Sequence, residues 1–490
     1  MKMVRVSSGV ATNSMLLMFV QIVTSVMSII VTKLLSVSFS LNEYGTYSQI
    51  LLIISTATSI SILGLTNATN YFYNKFENQE EQKKYVSTIF AIQYVVGILC
   101  CALLLVFRNL IANYFGNARI SEILLFTAWE PIFQNLIAMY QTLFVSIGEA
   151  KTIAVRNFVV SVIRLLAVFI ACYVVKDIVF ILLILLLMDV IQVGYFAFVF
   201  SKRKFTIRAS NMNRNLILEI FKFSIPMSLY VVSNSLTRDI DKYVIGAFSN
   251  TEDLAIYTNA AKVLPFDMLT TSLITVLIPV ITRYIGCRDF SNAMKVFKLY
   301  LRIGYVLTFI FVGGAIANSR YLMLFLYDSK YIAGLSIFVI YLLIDMVRFA
   351  NVTAVLSGAG KSNILMYISF VTLALNAVFN VISFKFLGML GPALTTLILT
   401  VAMIVALLHF GAVELHTRVV DLFYKKEILL VALEIVFVGL LSNRISFFLD
   451  SCGASEFIIL LCSYGTYLMI MALLNGKKAL KLLRDLNQFK

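Results

Sequence analysis

The sequence predicts an all-α polytopic membrane protein: about fourteen transmembrane helices, twelve of them in two like-oriented six-helix lobes around a central cavity and two at the C-terminal end. Three observations predict it. The first is composition. The 490 residues are 60% hydrophobic and 13% charged, with a mean hydropathy of +0.92. A soluble chain of this length would have to be cut into polar-faced domains to hide so much apolar surface. Only five prolines and no alternating polar and apolar strands argue against a membrane barrel. The second is the spacing of the apolar runs, and the third is an internal repeat.

A hydrocarbon core of about 30 Å takes about 20 helical residues per crossing. That rule gives spans at 13–36, 46–70, 85–107, 121–147, 150–175, 178–200, 219–247, 255–284, 296–317, 331–356, 362–384, 388–412, 427–448 and 455–475. The second and eighth are the most polar. With the N-terminus in the cytoplasm, 24 of the 40 Lys and Arg fall in cytoplasmic segments, 8 in outer loops and the remaining 8 within spans. This bias supports the count and places both termini inside. The net charge of +15 is read as this cytoplasmic excess and not as a nucleic-acid surface. The first apolar run lacks a short core ending in a small-residue cleavage site, so it is read as a retained span. The six cysteines lie in or beside apolar stretches without metal-ligand spacing and are read as free buried thiols.

The repeat has an offset of 210 residues. Glu43-Tyr44-Gly45-Thr46-Tyr47 returns as Asp253-Leu254-Ala255-Ile256-Tyr257, and Gly148-Glu149-Ala150-Lys151 returns as Gly358-Ala359-Gly360-Lys361. An offset of six spans means that both halves enter the membrane in the same direction, related by an axis along the membrane normal. The expected organisation is an N-lobe over 1–207, a C-lobe over 208–417, and spans thirteen and fourteen with a basic tail over 418–490. No loop is long enough for an extramembrane catalytic domain.

Ionisable groups inside spans are costly and therefore functional candidates. Span seven carries Arg238, Asp239, Asp241 and Lys242, and span eight carries Lys262 and Asp267. Arg238 and Lys262 fall at similar depth in the outer half of the bilayer, where two cations suit a phosphate-bearing head group. The alternative is self-neutralisation, Arg238 with Asp241 and Lys262 with Asp267. Arg164 and Asp189 lie near mid-depth on consecutive antiparallel spans, which favours an inter-helix salt bridge. Asp345 and Arg348, three apart, are read as an intrahelical pair. Arg302 and Glu434 are placed near the inner surface, with little function. Glu130 stands beside Pro131 in a span that also holds Gln134 and Asn135, which suits a cavity wall or a hinge as well as packing. Span two is polar without charge, from Ser48 and Gln49 to Thr69 and Asn70. Asn67, Asn70 and Tyr71 there suit a glycan, with close helix packing as the competing explanation.

Enzyme signals are thin, and the expectation is a protein that is not an enzyme and takes no cofactor or metal. His409 and His416 form no His-Glu-x-x-His arrangement. Gly358 to Ser362 lacks the glycine spacing and strand of a phosphate loop. Asp239-Ile240-Asp241 has no nucleotide-binding domain beside it. With no ATP-binding motif, the energy source is expected to be an H+ or Na+ gradient or the substrate gradient itself.

Several segments resemble the polysaccharide-transporter branch of the multidrug/oligosaccharidyl-lipid/polysaccharide exporter superfamily. They are Leu41 to Tyr47, Phe221 to Pro226 continuing to Asp241 to Gly246, Ile256 to Lys262, Leu277 to Pro279, Leu356 to Lys361 and Leu387 to Ala393. The resemblance implies two six-helix bundles, two extra C-terminal helices and alternating access. It also implies flipping of an undecaprenyl-diphosphate-linked oligosaccharide across the bacterial inner membrane, for O-antigen, lipopolysaccharide, capsule or exopolysaccharide assembly. Membrane lipids and polysaccharide polymerase machinery are the partners it suggests. The lipid II flippase branch carries arginines in its first two spans and the drug-exporter branch an acid there; span one here has only Lys33.

Overall fold

The computed structural model describes residues 8–202, 213–262, 264, 277, 278 and 280–487. Twelve helices among these are long and apolar enough to cross a membrane. They correspond to twelve of the fourteen expected spans. The middle of the eighth, Asp267 included, lies outside the described residues, and the fourth is broken in two.

By packing, the chain divides into two compact units, Met1–Ala255 and Ile256–Lys490. The first holds α1 (Ser8–Ser38), α2 (Leu41–Ser61), α3 (Leu65–Lys75), α4 (Gln79–Tyr114), α5 (Arg119–Thr127), α6 (Glu130–Ser146), α7 (Ala150–Ile170), α8 (Ile178–Lys202) and α9 (Arg214–Phe248); α10 (Thr251–Ala260) straddles the division. Span counting divides the lobes at 207/208. Packing divides the chain later because α9 lies against α2, α3 and α4. The second unit holds α11 (Phe290–Ala317), α12 (Ser319–Leu326), α13 (Leu335–Val347), α14 (Ala354–Gly358), α15 (Ser362–Leu387), α16 (Leu390–Glu414), α17 (Lys425–Ser451) and α18 (Glu456–Asn487).

Local chemistry sets the helix ends. Ser40 accepts from the Glu43 amide while the Glu43 carboxylate takes the Ser40 amide at 3.0 Å, a reciprocal cap for α2. At the repeat offset, Asn250 accepts from the Asp253 amide at 2.7 Å. The first repeat anchor therefore carries a cap at the same register. At the second anchor, the positive-φ glycine is Gly148 in one copy and Gly360 in the other. Helix starts there are offset by two residues more than the lysines suggest, with Lys151 inside α7 and Lys361 just before α15.

Two spans in the first unit are interrupted. In the fourth, Pro131 has no amide hydrogen to continue a helix from α5, and it sits in the first turn of α6 instead. In the second, Leu63 (φ 46°) and Gly64 (φ 67°) turn the chain between α2 and α3. Gly64 rests on α9, where an added Cβ would meet the Ser224 carbonyl and crowd the Ser228 amide, on either side of Pro226. Nearby, Phe90, Tyr140 and Phe196 stack in a core shared by α4, α6 and α8, with the Tyr140 and Phe196 centroids 5.5 Å apart.

In the second unit, Arg302 on α11 donates twice to Glu427 on α17, at 2.6 and 2.9 Å, and Tyr305 adds a hydroxyl at 3.2 Å. Arg302 is thus an interhelical clamp and not a snorkelling group. Glu434 accepts from Asn475 on α18 at 2.6 Å.

Candidate functional site

The first unit contains a polar network built on α2, α6, α7, α8 and α9. The break before α6 presents Glu130 in the first turn of that helix, 3% exposed. Gln134, one turn on, donates its amide to the Glu130 carboxyl at 2.9 Å. Asp189 lies on α8, which packs against α6. Gln192, one turn along α8, donates to Asp189 at 2.9 Å. Its carbonyl accepts from Arg156 on α7, which also donates to Asn157 at 2.8 Å.

Arg164 lies two turns further along α7, in the same unit as the two carboxyls. Neither Arg156 nor Arg164 comes within ion-pair distance of them, and the buried Nε–H of each has no hydrogen-bond partner among the described residues. The expected Arg164–Asp189 salt bridge is therefore not formed. Asp189 is met by the Gln192 amide instead. Arg156 completes the network. Its signal in the sequence is a second arginine eight residues before Arg164 in one span, close to the same helix face.

The network continues to the polar second span. Thr58 donates to the Gln134 carbonyl at 3.3 Å, and Asn135 donates to Ser61 at 2.8 Å and to the Thr58 carbonyl at 3.2 Å. Ser59 meets Ser235 on α9 at 2.8 Å, and the Tyr243 hydroxyl donates to Thr56 at 2.7 Å. Much of the polarity of α2 thus serves helix packing. Asn67 is half-buried. Asn70 accepts from Asn74 at 2.9 Å and Ser146 at 3.1 Å, and Tyr71 stacks on Phe223 at 4.3 Å between centroids.

On α9, Lys242 pairs with Asp239, and Asp241 is 1% exposed. Arg238 is exposed and makes no hydrogen bond or ion pair among the described residues; the alternative pairing with Asp241 does not occur. Beside this helix, α2, α4 and α9 enclose a groove of about 450 Å³ lined by carbon, including Ile60, Leu104, Phe107 and Tyr243.

In the second unit, Lys262 follows α10 and is exposed. Asp345, 6% exposed, accepts from the Leu264 amide at 3.2 Å, and Arg348 reaches Thr400 at 3.5 Å. Asn380 is fully buried, with both side-chain polar atoms lacking a partner, and Thr396 has an unpartnered hydroxyl. These two were not read from the sequence, because single neutral polar residues in apolar spans resemble ordinary packing. No group of three or more potential metal ligands occurs among the described residues.

A family model described as "Polysaccharide biosynthesis protein" matches residues 30–335. The chain belongs to that family. No curated protein matches it. Among solved structures it is similar to a lipid II flippase MurJ in an inward closed conformation, with a TM-score of 0.73, 16% identity, and coverage of 94% of this chain and 99% of that one. It is also similar to a multidrug resistance MATE family transporter of the MOP superfamily. The inward-facing form gives a TM-score of 0.66 at 12% identity, covering 80% of this chain and 94% of that one. The outward-facing form gives 0.60 at 14%, covering 83% and 95%. This member of the polysaccharide biosynthesis family therefore has the MOP superfamily fold, in line with the sequence resemblance.

Proposed function

We propose that this chain carries an undecaprenyl-diphosphate-linked oligosaccharide repeat unit from the cytoplasmic to the periplasmic leaflet of a bacterial inner membrane by alternating access, with both termini cytoplasmic. The observation that carries the reading is Arg238. A guanidinium in a span that is otherwise apolar enough to cross a membrane, exposed and unpartnered among the described residues, is expensive unless an anion or water meets it. In a polysaccharide biosynthesis family member, a diphosphate is the fitting anion. Lys262 supplies the second cation, with Asp241 and Asp267 setting the local charge. Asn67, Asn70 and Tyr71 contact the glycan, and the carbon-lined groove offers surface to the prenyl chain. Asp345 and Arg348 hold the second lobe. The lobes run over 1–207 and 208–417, and polysaccharide polymerase machinery receives the product. The coupling gradient is of H+ or Na+.

The test is deletion of the gene followed by mass analysis of lipid-linked intermediates in the inner leaflet, then complementation. Wild type clears the accumulated repeat unit. The Arg238→Ala/Lys262→Ala double variant is expected to insert and fold at normal yield and leave the intermediate uncleared. Normal clearance by that variant refutes the assignment of the two cations. A lipid II-type precursor is the second reading, favoured by coverage of 99% of the lipid II flippase structure. Accumulation of that precursor instead would select it.

A further inference from the structure

A pocket of about 420 Å³ opens between α7 and α8, and the transport reading leaves it unused. Its polar lining comes from Lys151, Thr152, Arg156 and Tyr195; the rest of the lining is valine, and no acid contributes. Neither cation has an anionic partner. Lys151 is exposed and makes no hydrogen bond or ion pair among the described residues. Arg156 gives two donors to neutral oxygens, those of Asn157 at 2.8 Å and of Gln192, and its buried Nε–H to none. Glu149, the nearest acid in sequence, accepts from the Thr152 hydroxyl at 2.8 Å. The second half of the repeat treats its lysine differently. Lys361 pairs with Glu414 at 3.3 Å. Stepping back 210 residues from Glu414 gives Lys204, while Arg156 and Tyr195 are matched at the same offset by Met366 and Val405. The duplicated fold is thus built without this pair of cations and without the tyrosine.

Depth and surroundings identify what the pocket takes. Arg156 lies six residues inside the start of α7, and Tyr195 seven before the end of α8. At the helical rise both sit about 10 Å from their helix ends. Deeper along the same faces, α7 exposes Val159, Ile163 and Leu166, and α8 exposes Leu187 and Ile191. Two unpaired cations at the head of an exposed apolar strip complement a molecule with an anionic head and a hydrocarbon tail. From this arrangement we propose that the pocket between α7 and α8 seats an anionic glycerophospholipid of the surrounding bilayer. Lys151 and Arg156 meet its phosphate, Tyr195 lies at the level of its glycerol, and one acyl chain follows the strip. A zwitterionic head would bring an ammonium group that no acid of the lining receives. A free phosphate would leave the apolar strip without an occupant. The site belongs to the membrane face of one unit and does not depend on what the chain transports.

The test places the full-length protein in phosphatidylcholine nanodiscs doped with phosphatidylglycerol that carries a photoactivatable diazirine on its acyl chain. After illumination, labelled peptides are identified by mass spectrometry. Label is expected on the α7 and α8 peptides that carry Val159 and Ile191. Excess unlabelled phosphatidylglycerol should remove it, and inorganic phosphate should not. The Lys151→Gln/Arg156→Gln double variant should cut this label about tenfold, since each cation near a membrane surface adds its own share of attraction. Lys361→Gln, at the paired lysine of the second half, should leave it unchanged. Should the double variant fail to fold, Lys151→Glu reverses one charge at an exposed position and should lower the same label. Equal labelling by a phosphatidylcholine carrying the same diazirine overturns the anionic head. Loss of label to inorganic phosphate overturns the lipid, and displacement by a polyprenyl phosphate at lower concentration than phosphatidylglycerol hands the pocket to the transported lipid instead. Label that survives Lys151→Glu undiminished overturns the site itself.

Discussion

Glu130 and Glu427 occupy the same place in two different helices, and the protein treats them in opposite ways. Each is an acid in the first turn, where the helix dipole favours negative charge. Glu427 is answered at once: a two-pronged arginine and a tyrosine hydroxyl close on it, while Lys298 and Arg302 both lie over the Tyr424 ring. Glu130 makes no ion pair among the described residues and meets the Gln134 amide instead. A charge that is fully paired fixes two helices together. A charge left with neutral company, and with its counter-ions held back, can change partners. Where an acid sits says little about its role; how its neighbours are committed says more.

Three substitutions bear on this contrast. The largest effect is expected for Glu427→Ala, which strands Arg302 and frees the start of α17. The loss is about 3 kcal/mol, toward the low end for a broken buried pair because Arg302 is partly exposed. It would be read as a lower thermal midpoint in detergent, with transport per folded molecule retained; an unchanged midpoint would remove the clamp from the comparison. Gly64→Ala comes next. A left-handed backbone costs a side chain about 1–2 kcal/mol, and the Ser224 carbonyl leaves no room for the methyl. Unfolding in the first unit should shift by about 2 kcal/mol, whereas a neutral result would mean that α3 and α9 are not seated on each other as described. Glu130→Gln should cost least, about 1 kcal/mol or less, since the amide still bonds within the network. Its signature should be a thermal midpoint that stays close to that of the native protein. Destabilisation as large as that of Glu427→Ala would make Glu130 a second clamp.

The sequence carried the membrane architecture well. Runs such as Ile178–Lys202 and Leu390–Glu414 are long, apolar and uninterrupted, and each is one helix. The breaks were less legible. Hydropathy averages over 20 residues, whereas the turn at Leu63–Gly64 and the restart at Glu130–Pro131 depend on a single backbone angle or a missing amide hydrogen. The candidate site was legible as a set of residue types: Glu130, Arg164 and Asp189 stand out in apolar surroundings. Their partners did not, because pairing depends on helix rotation, which a one-dimensional pattern leaves open within about a quarter turn. Arg302 illustrates the same limit from the other side. Read as a surface-seeking cation, it found its acid 125 residues further along.

The C-terminal pair of helices has a further consequence. Gly313 and Gly314 on α11 leave no space even for a methyl group, because Ile435 of α17 and Tyr464 and Tyr467 of α18 fill it, and Tyr464 hands its hydroxyl to the Phe311 carbonyl at 2.9 Å. Interlocked this closely, α17 and α18 must travel as passengers of α11. A fluorophore attached to their exposed outer faces would serve as a lever arm, reporting displacement of α11 from outside the transport machinery.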